Sequence, residues 1–248
     1  VGSVSVKKSK LKPWLKKQWC IGQIDGEYLA KMEDVLCLYG QPAQANGARL
    51  CFDERPCQLL NDVVVPLLVK PGKAAKEDNE YSREGTAVVL LAYDLDTGIR
   101  YTQVRKQRTK ADYAEFMDEI ATTYYTDVEY VDLVQDNLNT HKYGSFYAHL
   151  PLAQARLLSR KLVFHYTPKH GSWLNVAEIE FSALARQCLN RRIGRLEELA
   201  RQVDLWTSER NERAVKVHWS FTVATATDKL KRWYERVNPV NKAPDSIN

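Results

Sequence analysis

Two aspartates, Asp53 and Asp136, stand at the ends of apolar runs that read as buried strands, Ala48 to Phe52 and Val128 to Val134. If those strands are neighbours, both carboxylates come to one sheet edge, where like charges repel unless a cation lies between them. Hard divalent ions such as Mg²⁺ take oxygen ligands, and a pair about 3.5–4 Å apart activates a water and steadies the leaving oxygen of a phosphodiester. That chemistry suits three carboxylates, one bridging both ions and the others holding one each. The third is expected from a helix over Asn175 to Asn190, which offers Glu178 and Glu180. These flank opposite sides of the apolar stripe Ala177, Phe181, Leu184 and Cys188, so helical periodicity does not choose between them. A plainer reading stands beside each residue. An Asp at a strand end is more often a solvated turn residue, and Asn175 followed by Glu178 is also a capping-box pattern.

His141, five residues after Asp136, is placed either to orient a water or phosphate or simply to hydrogen-bond within a loop. Arg100, Arg105, Lys106, Arg108 and Lys110 make a basic stretch with no acid among them, and Arg191-Arg192 makes a second. Both suit DNA phosphates, and both are also what a solvated face looks like. Trp173 beside Lys169 and His170 combines a stacking surface with cations, as nucleic-acid sites do and ordinary domain rims do too.

These side chains need elements to hold them. From Asp25 the residues Tyr28, Leu29, Met32, Val35, Leu36 and Tyr39 recur at helical spacing, with Gly40 and Pro42 as a stop signal. Residues 70–85 mix Pro, Gly and charges and read as an excursion from the sheet. Thr86 to Tyr93 and Ile99 to Val104 read as strands joined by a hairpin over Asp94 to Gly98. A helix over Ala111 to Tyr125 then crosses to the strand before Asp136. The pattern continues with a helix over Tyr143 to Arg160, a strand over Leu162 to Tyr166, and terminal helices over Asn175 to Asn190, Leu196 to Arg213 and Thr227 to Val237. The order predicts a mixed α/β domain with helices packed against the sheet.

Composition sets the outer limits. The chain has 248 residues, 44% of them apolar, enough for a folded core and against disorder as the main state. Lys and Arg number 36 against 31 Asp and Glu, a net charge of +5 that permits a polyanionic partner without demanding one. No apolar run approaches the ~18 residues of a membrane span. The five cysteines form no C-x-x-C pair, so a reduced cytosol is expected and a zinc site is not. Residues 1–24 hold Lys7, Lys8, Lys10, Lys12, Lys16 and Lys17 and read as a basic arm.

Three segments then coincide: Cys51-Phe52-Asp53-Glu54, Gln135-Asp136-Asn137-Leu138-Asn139-Thr140-His141, and Thr167 to Glu178 with the core Leu174-Asn175-Val176-Ala177-Glu178. In this order the chain resembles, over nearly its whole length, the DDE transposases of the insertion sequence 630 family, relatives of the mariner elements. The resemblance implies an RNase H-like α/β fold, a mixed sheet with flanking helices, whose catalytic residues Asp53, Asp136 and Glu178 bind two Mg²⁺ (or Mn²⁺) ions. It thereby favours Glu178 over Glu180. Asn137, His141 and Asn175 are the expected supporting residues, and Lys106, Arg108, Lys169, His170, Trp173, Arg191 and Arg192 the expected DNA contacts. In relatives the last motif often reads Asn-Pro-Ile-Glu, and here it keeps its ends and loses the proline.

The implied activity is metal-dependent DNA cleavage and strand transfer, cut-and-paste transposition into TA dinucleotides. The implied partners are double-stranded DNA, both transposon ends and target, and a second copy of the chain as a homodimer. The implied setting is the bacterial cytoplasm at the nucleoid, with no membrane partner. On this reading residues 1–24 are the tail of a missing helix-turn-helix region, 25–237 the catalytic domain and 238–248 a flexible tail. Two other readings compete: a catalytically silent DNA-binding remnant that regulates a full-length transposase, and a metal-free hydrolase using two carboxylates as a glycosidase does.

Overall fold

The computed structural model describes residues 24–67, 71–73, 76 and 78–241. The expected basic arm falls outside these except for Ile24, which is buried in the core, and so does the tail beyond residue 241. Helix α1 (Gly26–Gly40) starts where Asp25 accepts the amide of Tyr28 at 2.8 Å and stops ahead of Pro42. Its buried stripe Tyr28, Leu29, Met32, Val35 and Leu36 is the one its spacing predicts.

Strands β1 (Gly47–Asp62) and β2 (Tyr81–Asp94) form a long antiparallel pair. The chain turns from β2 into β3 (Arg100–Arg105) through Asp94, whose Oδ1 accepts the amides of Asp96 and Thr97 at 2.7 and 2.8 Å, while Gly98 takes φ 77°. Helix α2 (Lys110–Glu119), capped reciprocally by Thr109 and Asp112, leads over the sheet to β4 (Tyr130–Gln135). Then follow α3 (Tyr143–His149), α4 (Leu152–Lys161), β5 (Leu162–Tyr166), α5 (Val176–Gln187), α6 (Leu196–Glu212), α7 (Val223–Lys229) and α8 (Lys231–Val237). The strands lie in the order β3-β2-β1-β4-β5, with β1/β4 and β4/β5 parallel and the other two pairs antiparallel.

Both faces of this sheet are covered, which is why its central strands read as unbroken apolar runs. Along β2, Ala87, Val89, Leu91 and Tyr93 join a cluster with α1, α5 and α6. The alternate residues Val88, Leu90 and Ala92 join Leu50, Phe52 and the apolar faces of α2, α3 and α4. Among the described residues no helix is long and apolar enough to cross a membrane.

Four boundaries differ from expectation. β2 starts at Tyr81 and not at Thr86, so residues 81–85, read as part of an excursion, pair with the outer part of β1. β1 does not end at Phe52 but runs to Asp62, because β2 supplies a hydrogen-bonding partner that far; its outer part is a largely exposed arm, with a register shift between Leu59 and Leu60. Asp53 therefore sits inside a strand. The helix expected over Tyr143 to Arg160 is two, α3 and α4, divided at Leu150-Pro151, since proline cannot continue the preceding helix. The last expected helix starts earlier, behind a Thr222 cap, and is divided at Leu230 into α7 and α8.

His165 on β5 ties α1 to the sheet: its Nδ1 lies 2.8 Å from Asp34 and its Nε2 3.2 Å from Asp132. Burial opposes a charge on this ring, but the two carboxylates outweigh it and raise its pKa. A raised histidine pKa adds stability that is full below the unfolded value of about 6.5 and is lost as pH rises through the folded value. The wild type is thus expected to lose more stability between pH 6 and pH 9 than His165→Gln does, by on the order of 1 kcal/mol or less. Paired urea titrations at the two pH values check this, and equal losses in both proteins would refute it.

Candidate active site at the end of the parallel strands

The last parallel pair between β1 and β4 joins Cys51 to Val134, and both strands continue. Asp53, still within β1, and Asp136, just past the end of β4, each lie two positions further on, side by side where the parallel pairing stops. Asn175 brings the third element to them. Its Nδ2 donates to the Phe52 carbonyl at 2.8 Å and to Asp53 Oδ2 at 3.4 Å, while its Oδ1 accepts the amide of Ala177 at 3.1 Å. One buried side chain thereby caps α5 and moors it to β1, placing Glu178, exposed in the first turn, over the same sheet end.

The charge balance here is uneven. Burial foremost, then the negative charge of Glu178, with further contributions from Glu54 and Asp136, pushes the Asp53 carboxyl up to about 7, against a 2.8 Å hydrogen bond from the Glu54 amide that favours ionisation. The carboxylates are neighbours without closing into a cage: among the described residues no three His, Cys, Asp or Glu side chains have the spacing of a formed metal site.

His141 is packed behind Asp136. Its ring lies between Phe52 and Tyr113, with centroids 5.2 and 4.9 Å away, and its carbonyl accepts the Tyr166 hydroxyl at 2.9 Å. Its Nδ1 is 2.6 Å from Asp136 Oδ1, and its Nε2 is 2.9 Å from Glu54 Oε2. Burial works against a charged ring, yet Asp136 and Glu54 prevail and lift the His141 pKa to about 9. Asn137 is exposed and bonds Lys142, whose ammonium lies 4.3 Å from the Tyr166 ring centre. Glu54 is the site neighbour that the sequence reading left without a role. Its signal was its place next to Asp53, since alternation along a strand sends adjacent side chains to opposite faces.

Glu180 is spoken for. It is fully buried and accepts from Arg100 at 2.5 and 3.0 Å and from Arg210 at 3.0 and 3.2 Å, and Arg100 also donates to the carbonyls of Gly98 and Val215. Arg100, read in sequence as part of a DNA-facing basic stretch, is therefore an interior residue.

The other basic candidates are divided. Lys106 and Arg108 are exposed on the loop before α2, and Arg108 reaches to 3.7 Å from Glu54, at the site. Lys169 and His170 are exposed after β5 and line an open cavity of about 440 Å³ together with Asp25, Glu27, Tyr28 and Lys31. Trp173 is 44% exposed, edge-on to Phe221. Arg191 bonds Gln202, and Arg192 is committed to Asp62 and to the carbonyls of Asp78 and Glu80 at the outer end of the β1–β2 pairing.

Among solved structures the chain is similar to the Mos1 mariner paired end complex with Mn, at 14% identity and TM-score 0.55, covering 95% of this chain and 68% of that one. It is similar to the Mos1 Strand Transfer Complex at 14% identity and TM-score 0.56, covering 96% and 68%. It is also similar to the catalytic domain of Mos1 mariner transposase at 12% identity and TM-score 0.50, covering 92% and 100%. These likenesses establish the RNase H-like transposase fold expected from sequence. No curated protein sequence matches the chain. The profile described as DDE superfamily endonuclease matches residues 48–200, more than half the chain, spanning Asp53, Asp136 and Glu178. The chain belongs to the DDE superfamily endonucleases, enzymes that use divalent metal ions.

Proposed function

We propose that this chain is the catalytic domain of a cut-and-paste transposase that cleaves DNA at transposon ends and joins the freed 3′ ends to target DNA at TA dinucleotides. The observation that carries the reading is the meeting of Asp53, Asp136 and Glu178 at one sheet end, with Asp53 under pressure from neighbouring negative charge. That donor set fits hard divalent cations: three carboxylates, one of them partly suppressed in its charged form for want of a positive neighbour. Asp53 would be shared between two Mg²⁺ or Mn²⁺ ions, with Asp136 on one and Glu178 on the other. The chemistry that bound cations would supply there is a lowered pKa for an attacking water and stabilisation of a departing 3′ oxygen.

The protein's own groups do the rest. Asn175 keeps the start of α5, and hence Glu178, in step with Asp53. His141 holds one oxygen of Asp136. Arg108 and Lys106 border the site from the α2 loop, where they would take the phosphates of a DNA strand, and Trp173 offers a stacking edge beyond Lys169 and His170. The similarity to the Mos1 transposase paired-end complex with left transposon end supports DNA as the partner; the active assembly would be a homodimer.

Nicking of supercoiled plasmid carrying the element's ends tests this. Cleavage is expected with Mg²⁺ or Mn²⁺, to fall to background with EDTA, and to return when Mn²⁺ is restored in excess. Cleavage that survives EDTA would overturn the reading.

A further inference from the structure

We propose that Lys142 is a substrate-binding residue of this site, a pre-positioned cation that holds a phosphate next to the one that is cut. The proposal rests on the reading of Asp53, Asp136 and Glu178 as the carboxylates of a DNA-cleaving centre, and it adds a point beyond Asp136 at which the strand is gripped. Lys142 lies in the loop between β4 and α3, directly after His141, whose ring is packed between Phe52 and Tyr113. Ser145 and Phe146 are buried just beyond it. Its backbone is therefore set by the core on both sides.

The far end of the side chain is held as well. Tyr166 is the last residue of β5 and pairs with Gln135, the residue before Asp136, so its ring stands at the same sheet end as the carboxylates. Its hydroxyl donates to the His141 carbonyl at 2.9 Å, and its ring meets Phe164 edge-on with centroids 5.9 Å apart. The Lys142 ammonium lies 4.3 Å from the centre of this ring and also donates to Asn137 Oδ1, beside Asp136. Both partners are neutral. Asp136 gives its Oδ1 to His141 instead, and among the described residues no carboxylate pairs with Lys142. The buried Arg100, by contrast, is matched by Glu180. An ammonium has three hydrogens and accepts nothing, so a ring face and one amide oxygen orient this charge without neutralising it. An anion brought from outside completes it, and in a DNA-cleaving centre that anion is a backbone phosphate. Arg108, 58% exposed, must be ordered when a strand arrives. Lys142 is half-buried and ordered beforehand, so it loses less freedom on binding.

The test uses the full chain and a labelled duplex carrying one element end, with binding followed by fluorescence anisotropy across a salt series without added metal. Lys142→Gln is expected to weaken binding about 10-fold at low salt, as loss of a charged hydrogen bond does. The slope of log affinity against log salt should become shallower by about 0.9, one phosphate contact fewer. Lys142→Arg should keep the wild-type slope. A merely structural role would move affinity without moving the slope. A methylphosphonate scan of the cleaved strand, one neutral linkage at a time, locates the contact: one position beside the cut should weaken wild-type binding and leave Lys142→Gln binding unchanged. If Lys142→Gln does not fold, Lys142→Met, which keeps the stem on Tyr166 and drops the charge, carries the same readouts. An unchanged slope, or a scan in which every position costs both proteins the same, would overturn the proposal. Nicking with Mn²⁺ separates the two levels of the argument. Nicking that depends on Asp53, together with an unchanged slope in Lys142→Gln, removes Lys142 alone, whereas a wild type that neither nicks nor binds the duplex removes the site assignment with it.

Discussion

Asp53→Asn is expected to abolish Mg²⁺- or Mn²⁺-dependent strand cleavage, by on the order of 10³-fold or more, while raising the stability of the metal-free fold. The two effects share one cause. Asp53 is a carboxylate set among others, its pKa pushed up to about 7, so in the folded state it holds its proton to higher pH than the unfolded chain does. Stability then falls as pH rises from about 4 through about 7, where the folded state binds more protons than the unfolded one. An amide at this position removes that loss, and Asp53→Asn should be the more stable protein at pH 8, by on the order of 2 kcal/mol. Asp136→Asn and Glu178→Gln should likewise abolish cleavage, with DNA binding largely retained in all three. Gel-shift, nicking and urea titrations on the same preparations check each part. Retained cleavage in any variant would remove that residue from the triad, and an Asp53→Asn protein less stable than wild type at pH 8 would contradict the charge-crowding account.

Glu180→Gln should fail in the opposite way. It removes the counter-charge of Arg100, whose side chain is wholly buried, and of Arg210 at the edge of the same pocket. Breaking a buried pair from one side leaves an uncompensated interior charge, a loss of about 3–5 kcal/mol. The urea midpoint should drop with an unchanged slope. Below that midpoint cleavage should persist, because Glu180 faces the α5–α6 interior and not the sheet end. Glu178→Gln, only two residues away, should leave the midpoint within about 0.5 kcal/mol, as expected for an exposed side chain. A Glu180→Gln protein as stable as wild type would mean that the Arg100 pair contributes nothing.

That contrast marks where sequence reasoning reached its limit. Periodicity put Glu178 and Glu180 on either flank of one apolar stripe and had no means to rank them; the residues that claim Glu180 come from β3 and α6, far away in sequence. Arg100 could not be told from its basic neighbours for the same reason, since the number of charges in a stretch says nothing about which one turns inward. The outer half of β1 was hidden because an exposed antiparallel arm carries polar residues, whereas β2 was plain from Thr86 to Tyr93 because both of its faces are covered. The placement of Asp53 and Asp136 was legible because each follows an apolar run, and β1 and β4 proved to be parallel neighbours. Glu54 was marked in the sequence only by its place next to Asp53; its contact with His141 depends on a loop folding back after β4.

The two acidic neighbours on β1 also constrain how such a chain can change over generations. Gain or loss of one residue between Gly47 and Asp53 would exchange the faces of the two carboxylates, presenting Glu54 toward α5 and Asp53 toward the aromatic cluster, so the inner strand should be intolerant of length variation. Beyond the irregularity at Leu59 and Leu60, register with the sheet no longer governs either acid. Lineages should therefore lengthen or trim the arm freely at its tip while the segment before it stays frozen in length.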